Sequence, residues 1–516
     1  MRTYAESKRM SRLSKNIVYN LLGQGLTLAL GFVAVKFIFK QLGQDALGII
    51  YFTITLDALL AALLALGINE TTVREVAAFH EEDPTYVKHL LQTASFFYWT
   101  LYVLAALALY ASAPWLVTKW IHLDTLSPIT ATRILRVLGI SLLLALPRSF
   151  YASILRGLQR MEFTNLIDVG TSALQQFGTI FVLSLGGGLN QVILWMASCY
   201  LLAPVIYLKV CAHFFGGKAF IPWVWISTIH RNARFTFRLA GITVLSIIHM
   251  QSDKAIVSKL LPLGVFGYYS MAYNAVARGM LVPASISQAV FPSFSALYKA
   301  GDRAGLMRQY KNLQDLLCFA IVPMLAAVPF AARPLFTFVL NAQAARMLLY
   351  PVTFLCIGFC MSATLTIPYV FSLAVGKPGI AARSNYYALF VVLPVTALLV
   401  YKFGIAGAGL SWVFYHVFAY AYMVPRVCTE CLGIPVWKWF LNVFKVFGLA
   451  ALTYGSAGAI IKSLGLLSVL SLALAYAFAS VAFAAAAYQL IGNELRETLR
   501  RLAFLKPAPA GTSSFV

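Results

Sequence analysis

Apolar runs of about 20 residues, long enough to cover a hydrocarbon core at 1.5 Å per residue, recur along nearly the whole chain. They predict about fourteen transmembrane helices, over 16–39, 46–68, 90–118, 133–155, 163–185, 190–211, 236–261, 266–291, 312–340, 346–375, 384–402, 406–427, 440–461 and 466–491. A membrane β-barrel would show short alternating segments instead, and these are missing from the sequence. The polar breaks are short. The longest expected external segment, around Thr118–Thr132, leaves no room for an extramembrane domain, while Asn69–Leu90, Ala212–Phe235 and Tyr298–Lys311 are charged enough for interfacial helices.

Composition supports lipid as the solvent. The 516-residue chain is 60% hydrophobic and 11% charged, against about 25% charged residues in a soluble domain. The net charge of +23 would suggest nucleic acid in a soluble protein, but its distribution matters more than its sum. About two-thirds of the lysines and arginines fall in segments on the side of the N-terminus and about a quarter on the opposite side. That bias predicts both termini in the cytoplasm and an even number of helices, with the basic face turned to anionic lipid. No nucleic-acid partner is needed. The basic stretch Met1–Lys15 precedes an apolar segment, Asn16–Phe39, that is too long for a signal-peptide core and has no evident cleavage site, so it reads as an uncleaved first helix.

The seven cysteines form no disulfide framework. Cys199, Cys211, Cys318, Cys356 and Cys360 lie in or beside spans, and the Cys428–Cys431 pair lacks the second pair or nearby histidines of a zinc site. No metal or cofactor is expected.

The chain also repeats. Lys40–Gly48 (KQLGQDALG) and Lys259–Gly267 (KLLPLGVFG) each place Lys eight residues before a Gly that opens the next helix, at an offset of 219 residues. Gly157, after span 4, and Gly376, after span 10, share that offset. Six spans per copy, an even number, give parallel repeats with a substrate path between them. The expected layout is a basic N-terminus (1–15), an N-lobe (16–211), a cytoplasmic linker (212–235), a C-lobe (236–427), two further helices (440–491) and a cytoplasmic tail (492–516).

Ionisable residues deep in a bilayer cost about 2.5–3.5 kcal/mol each, so each requires a reason. Arg148, about 12 Å from the cytoplasmic end of span 4, Arg278, about 18 Å into span 8, and Lys254 in span 7 suit a cationic lining that holds an anionic group. Asp57 and Asp253 either ligate a coupling ion or pair with a cation, Asp253 with Arg278 for example. His249, one turn before Asp253, fits a packed, hydrogen-bonded role. Lys36 and Asp168, near helix ends, are expected to snorkel to the interface. Gln24, Gln175, Gln176, Gln251 and Asn274 could face sugar hydroxyls or another helix, and Pro147, Pro283, Pro323 and Pro368 interrupt apolar spans.

Three stretches carry a family resemblance. Asp253–Ala272 (DKAIVSKLLPLGVFGYYSMA) resembles the helix 7–8 signature of polysaccharide and O-antigen flippases. Ala152–Arg160 (ASILRGLQR), with Asn165, resembles their helix 4–5 turn, and Pro292–Tyr298 (PSFSALY), with Gly301 and Asp302, resembles their link after helix 8. The likeness spans most of residues 10–430. It implies the multidrug/oligosaccharidyl-lipid/polysaccharide exporter superfamily: V-shaped, all-α proteins with two six-helix lobes around a central cavity. Spans 13 and 14 are then an appendage. It also implies alternating-access transfer of a polyprenyl-diphosphate-linked oligosaccharide to the outer leaflet of a bacterial cytoplasmic membrane. On this reading the diphosphate meets Arg148, Lys254 and Arg278, Asp57 and Asp253 are the residues for H+ or Na+ coupling, and polysaccharide polymerase or assembly proteins are the partners. The motif match itself transfers only Asp253 and Lys254.

Rival readings are a lipid II flippase and a multidrug antiporter of the same superfamily. The antiporter would favour buried carboxylates over the three deep basic residues. A membrane glycosyltransferase needs a sizeable loop carrying carboxylates or Arg, and the external segment holds only Asp124, so no enzyme is expected.

Overall fold

The computed structural model describes residues 2–64, 67–466, 468–492 and 495–497, with the side chains of 2–24, 62–63, 234–235, 237–243, 245–246 and 289 left aside. The expectations for the Met1–Lys15 side chains, for Gln24 and for most of the tail 492–516 therefore lie outside the described residues. The described chain is mainly helical. In order it forms α1 (Arg2–Leu64), α2 (Ile68–Phe79), α3 (Pro84–Trp115), α4 (Pro128–Leu142), α5 (Ala145–Gly157), α6 (Met161–Ser184), α7 (Leu189–Phe215) and α8 (Ile226–Leu260). There follow α9 (Leu263–Ala277), α10 (Leu281–Lys299), α11 (Arg303–Val339), α12 (Ala342–Ala374), α13 (Gly379–Arg426), α14 (Val436–Ala450), α15 (Ser456–Ser463) and α16 (Val469–Leu490). Among the described residues, 11 helical stretches are long and apolar enough to cross a membrane. The protein is a multi-pass, all-α membrane protein.

The predicted boundaries between spans 1 and 2 and between spans 11 and 12 are bends rather than loops. Gly43 (φ 84°) turns the chain within α1, and Gly404 (φ 58°) does so within α13. A left-handed residue changes direction in a single step, and glycine does this without a Cβ clash. Two of the expected proline breaks are real. Span 4 parts at Leu143–Leu144 into α4 and α5, and span 8 parts at a 3₁₀ turn, Arg278–Met280, between α9 and α10. Pro147 and Pro283 stand in the first turns of α5 and α10, where a missing N–H costs nothing. Pro323 and Pro368 lie within α11 and α12.

The chain divides into two compact units, described separately. One comprises Met1–Ala272, Phe336–Leu348 and Leu389–Ala408, and the other Tyr273–Leu335, Leu349–Ala388 and Gly409–Val516. In the first unit Val76, Tyr98, Phe150, Tyr151, Ile154 and Tyr207 join α2, α3, α5 and α7 in one buried cluster. The polar breaks predicted around Asn69–Leu90 and Ala212–Phe235 pack on it. Buried Glu75 accepts from Tyr86 Oη at 2.7 Å and pairs with Arg74 at 2.6 Å, while the Arg231 guanidinium lies 4.0 Å from the Tyr86 ring centre. Trp225 stacks on His89 at 3.7 Å and donates to Gln92 Oε1 at 2.8 Å, which fixes the linker to α3. In the second unit Phe294, Leu317, Phe371, Val424, Trp439 and Val443 form the corresponding core. The C-terminal helices dock there through Tyr454, Tyr476 and Phe330, with Tyr476 Oη donating to the Pro323 carbonyl at 3.1 Å.

The first repeat anchor has a structural meaning. A Cβ at Gly267 would lie 2.9 Å from both Cα and N of Gly48, and a Cβ at Gly48 would run into the Leu263 carbonyl group. The two glycines at the 219-residue offset are thus each other's packing partners, and their missing side chains let two helix backbones touch. Around them Tyr268 Oη donates to Gln44 Oε1 at 2.9 Å, and the Leu263 N–H donates to the His122 carbonyl at 2.9 Å. Asp45 Oδ2 accepts from the N–H groups of Asp124, Thr125 and Leu126 at 3.1, 2.6 and 3.1 Å, pinning the segment 118–132. The second anchor differs in role. Gly157 is helical and packed against Val76, whereas Gly376 ends its helix at φ 78°.

Gly48→Ala is expected to force these backbones apart and destabilise the protein by about 1–3 kcal/mol. Gly448→Ala, with open space around its site, is expected to cost nothing. Thermal unfolding of the detergent-solubilised pair checks this, and equal melting would refute the close contact.

Candidate functional site

The Pro147 break places Arg148 in the first turn of α5, facing α6. Its Nη2 donates to Asp168 Oδ1 at 2.6 Å, and Tyr207 Oη donates to the same oxygen at 2.7 Å. Asp168 is the counter-ion of Arg148. Antiparallel geometry explains the meeting. Arg148 precedes the end of α5 by nine residues and Asp168 follows the start of α6 by seven, so both stand about 10–14 Å from the connecting turn. Protein does not enclose the pair, with 27% of the arginine and 48% of the aspartate side chain exposed. In the same unit Gln175 Nε2 donates to Tyr200 Oη at 3.1 Å, and Tyr200 lies within electrostatic reach of both Asp57 and Arg148. Asp57 is buried, and its Oδ1 has no hydrogen-bond partner among the described residues.

The α8–α9 hairpin brings together a second set. Asp253 accepts from Tyr269 Oη at 2.5 Å and from Lys254 Nζ at 3.4 Å, and Lys254 Nζ also donates to the Met250 carbonyl at 2.7 Å. Only 5% of the Lys254 side chain and 3% of that of Asp253 are exposed. Lys254 therefore does not present its ammonium to a ligand in this conformation, and Asp253 takes Lys254 and Tyr269 as partners in place of the expected Arg278. His249 is buried one turn earlier, and Lys36 rests 3.3 Å from the ring centre of Phe338.

In the second unit Arg278 heads the 3₁₀ turn that interrupts span 8. It is exposed and has no hydrogen bond or ion pair among the described residues. Asn274, one turn earlier on the same face, is exposed as well. Of the three deep cations proposed from sequence, Arg278 has no partner among the described residues, Arg148 is paired but not enclosed by protein, and Lys254 is enclosed. Residues 13–298, more than half of the chain, match the family model described as "Polysaccharide biosynthesis protein".

The chain belongs to that polysaccharide biosynthesis protein family. A Shigella flexneri relative, provisionally named an O-antigen transporter, is 22% identical over 402 residues, covering 77% of this chain and 93% of its own. The fold is also that of solved flippases and exporters. A lipid II flippase, MurJ, in an inward closed conformation aligns with TM-score 0.70 at 14% identity, over 92% of this chain and 99% of its own. An inward-facing multidrug resistance transporter of the MATE family, MOP superfamily, aligns with TM-score 0.64 at 14% identity, over 78% and 95%. A Pyrococcus furiosus MOP-superfamily transporter aligns with TM-score 0.56 at 14% identity, over 83% and 93%. These relatives are named as transporters and flippases rather than as enzymes.

Sequence reading missed Tyr200, Tyr207 and Tyr269. Tyr269 was findable by hairpin position, since it stands about as far into α9 as Asp253 stands from the end of α8. Tyr200 and Tyr207 carried no such signal, because α7 meets α6 and α4 at angles that spacing does not reveal.

Asp253→Asn leaves Lys254 buried without its counter-charge and is expected to destabilise the protein by about 3–5 kcal/mol. The double change with Lys254→Met is expected to recover most of that loss. Melting of the three proteins in one detergent decides it, and a double variant no better than the single would show that the charges are not coupled.

Proposed function

We propose that the protein flips a polyprenyl-diphosphate-linked oligosaccharide, an O-antigen or exopolysaccharide repeat unit, from the cytoplasmic to the outer leaflet of a bacterial cytoplasmic membrane by alternating access. Arg278 carries this reading. It stands 15 residues into a 37-residue apolar helical run, about 22 Å along it. A charged residue there without a counter-ion is too costly against hydrocarbon and is explained by a watered path for an anion. Guanidinium groups suit phosphate oxygens, which they grip through two parallel hydrogen bonds. Asn274 on the same face adds a donor, and Arg148 is a second cation reachable from solvent. The O-antigen relative and the family match support the glycan class.

In this reading α1 and α13 each cross twice, bending at Gly43 and Gly404. With α8 counted, that makes fourteen passages with both termini cytoplasmic. The N-lobe is 16–211, the C-lobe 236–427, and the helices over 440–491 are added to the second. Asp57, buried with a free oxygen, is the coupling residue for H+ or Na+, whereas Asp253 is engaged by Lys254 and Tyr269. Polymerase and assembly proteins of the same glycan are the expected partners.

Flipping of a fluorescent polyprenyl-diphosphate oligosaccharide in proteoliposomes tests the proposal. Arg278→Ala is expected to slow crossing at least about tenfold, the scale of one lost charge-assisted bond. Equal crossing would remove Arg278 from the mechanism. Lipid II in a parallel arm addresses the rival substrate, which shares the diphosphate anchor. Failure of folded wild type on every such lipid would favour the antiporter. Asp57→Asn is expected to retain slow crossing but to lose acceleration by an imposed pH or sodium gradient, and an unchanged gradient response would exclude Asp57 from coupling.

A further inference from the structure

Two acid–base pairs described in the first unit differ in kind. Asp253 and Lys254 are sealed from solvent, whereas Asp168 and Arg148 meet at an accessible surface, 48% and 27% exposed. The accessible pair is also the weaker geometry for permanent bridging. A single guanidinium nitrogen, Nη2, reaches a single carboxylate oxygen, Oδ1, whereas the strongest arginine–carboxylate contacts use two parallel bonds. Tyr207 Oη shares that oxygen at 2.7 Å and comes from α7, so Asp168 is held in place by a residue other than the arginine.

We propose that Asp168 is a resident counter-anion of the substrate site: it occupies Arg148 in the empty carrier, is displaced from the guanidinium by an incoming diphosphate, and returns as the diphosphate leaves. This rests on the reading of Arg148 as a diphosphate ligand. The physical reason is the requirement on any carrier to release what it binds. A free arginine at an accessible, partly desolvated site would hold a diphosphate through two charge-assisted bonds and let it go slowly. A carboxylate tethered within reach lowers the net affinity and re-neutralises the cation when the ligand departs, so Arg148 is not left as an unpaired charge in the empty carrier. Tyr207 keeps the carboxylate nearby during the exchange, because its bond to Oδ1 does not depend on Arg148.

The test is binding of farnesyl diphosphate, a short soluble polyprenyl diphosphate, to the purified full-length protein in detergent, together with flipping in proteoliposomes. Asp168→Asn keeps an acceptor for Tyr207 but removes the competing charge. It is expected to tighten binding about tenfold and to slow flipping under saturating lipid. Tyr207→Phe leaves the carboxylate wholly to Arg148 and is expected to shift affinity the other way, weakening binding a few-fold. Arg148→Ala is expected to lose most binding, and Arg148→Ala with Asp168→Asn to behave like Arg148→Ala alone. Unchanged or weaker binding by folded Asp168→Asn, with binding still lost in Arg148→Ala, would overturn the counter-anion role and leave the diphosphate site standing. Unchanged binding in Arg148→Ala would overturn both. If Asp168→Asn does not fold, tighter or equal binding by Tyr207→Phe overturns the proposal by itself.

Discussion

Lipid offers no hydrogen bonds, and the rest of this structure follows from that constraint. Each backbone N–H and C=O inside the membrane must be satisfied within its own helix, so changes of direction are confined to helix ends or to special positions. The chain meets this with left-handed glycines at Gly43 and Gly404, and with breaks before Pro147 and Pro283, where the missing proline donor lies in a first turn that needs none. Those same breaks hold Arg148 and Arg278. A helix interruption brings polar backbone to membrane depth, and a charged side chain beside it adds to a polarity that the fold already has to accommodate there.

The same solvent removes the hydrophobic drive between helices, so close approach must come from shape. The contact of Gly48 with Gly267 shows this directly, since backbone meets backbone where two side chains are absent. The polar residues around it, Gln44, Tyr268, Asp45 and the segment Asp124–Leu126, complete the join with hydrogen bonds. At the other end of the same unit, Glu75, Arg74, Arg231, Trp225 and His89 do the equivalent work. Polar side chains thus tie the ends of the helices, while small residues and aromatics pack their length.

The proposed function draws on places where this division fails. Arg278 has no partner among the described residues, Asp57 keeps an unbonded oxygen in a buried place, and Arg148 has a partner that solvent can reach. By contrast, Asp253, Lys254 and Tyr269 satisfy one another out of solvent, a structural arrangement despite their place in the most recognisable motif of the chain. A motif marks what a family needs, and packing can be that need as readily as transport.

The all-α, multi-pass membrane class was legible in the sequence because it depends on the summed transfer of about 20 consecutive residues, which averages over local error. Individual charges did not behave so simply. Asp168 was read as a snorkelling residue although hairpin position placed it opposite Arg148, and Lys254 was counted with the cavity cations although it is enclosed. Depth along a helix can be counted from sequence, but the face on which a side chain stands, and what the neighbouring helix offers there, depend on crossing angles set by contacts far apart in the chain. Tertiary packing alone therefore decided which cations are free, which are paired and which are sealed.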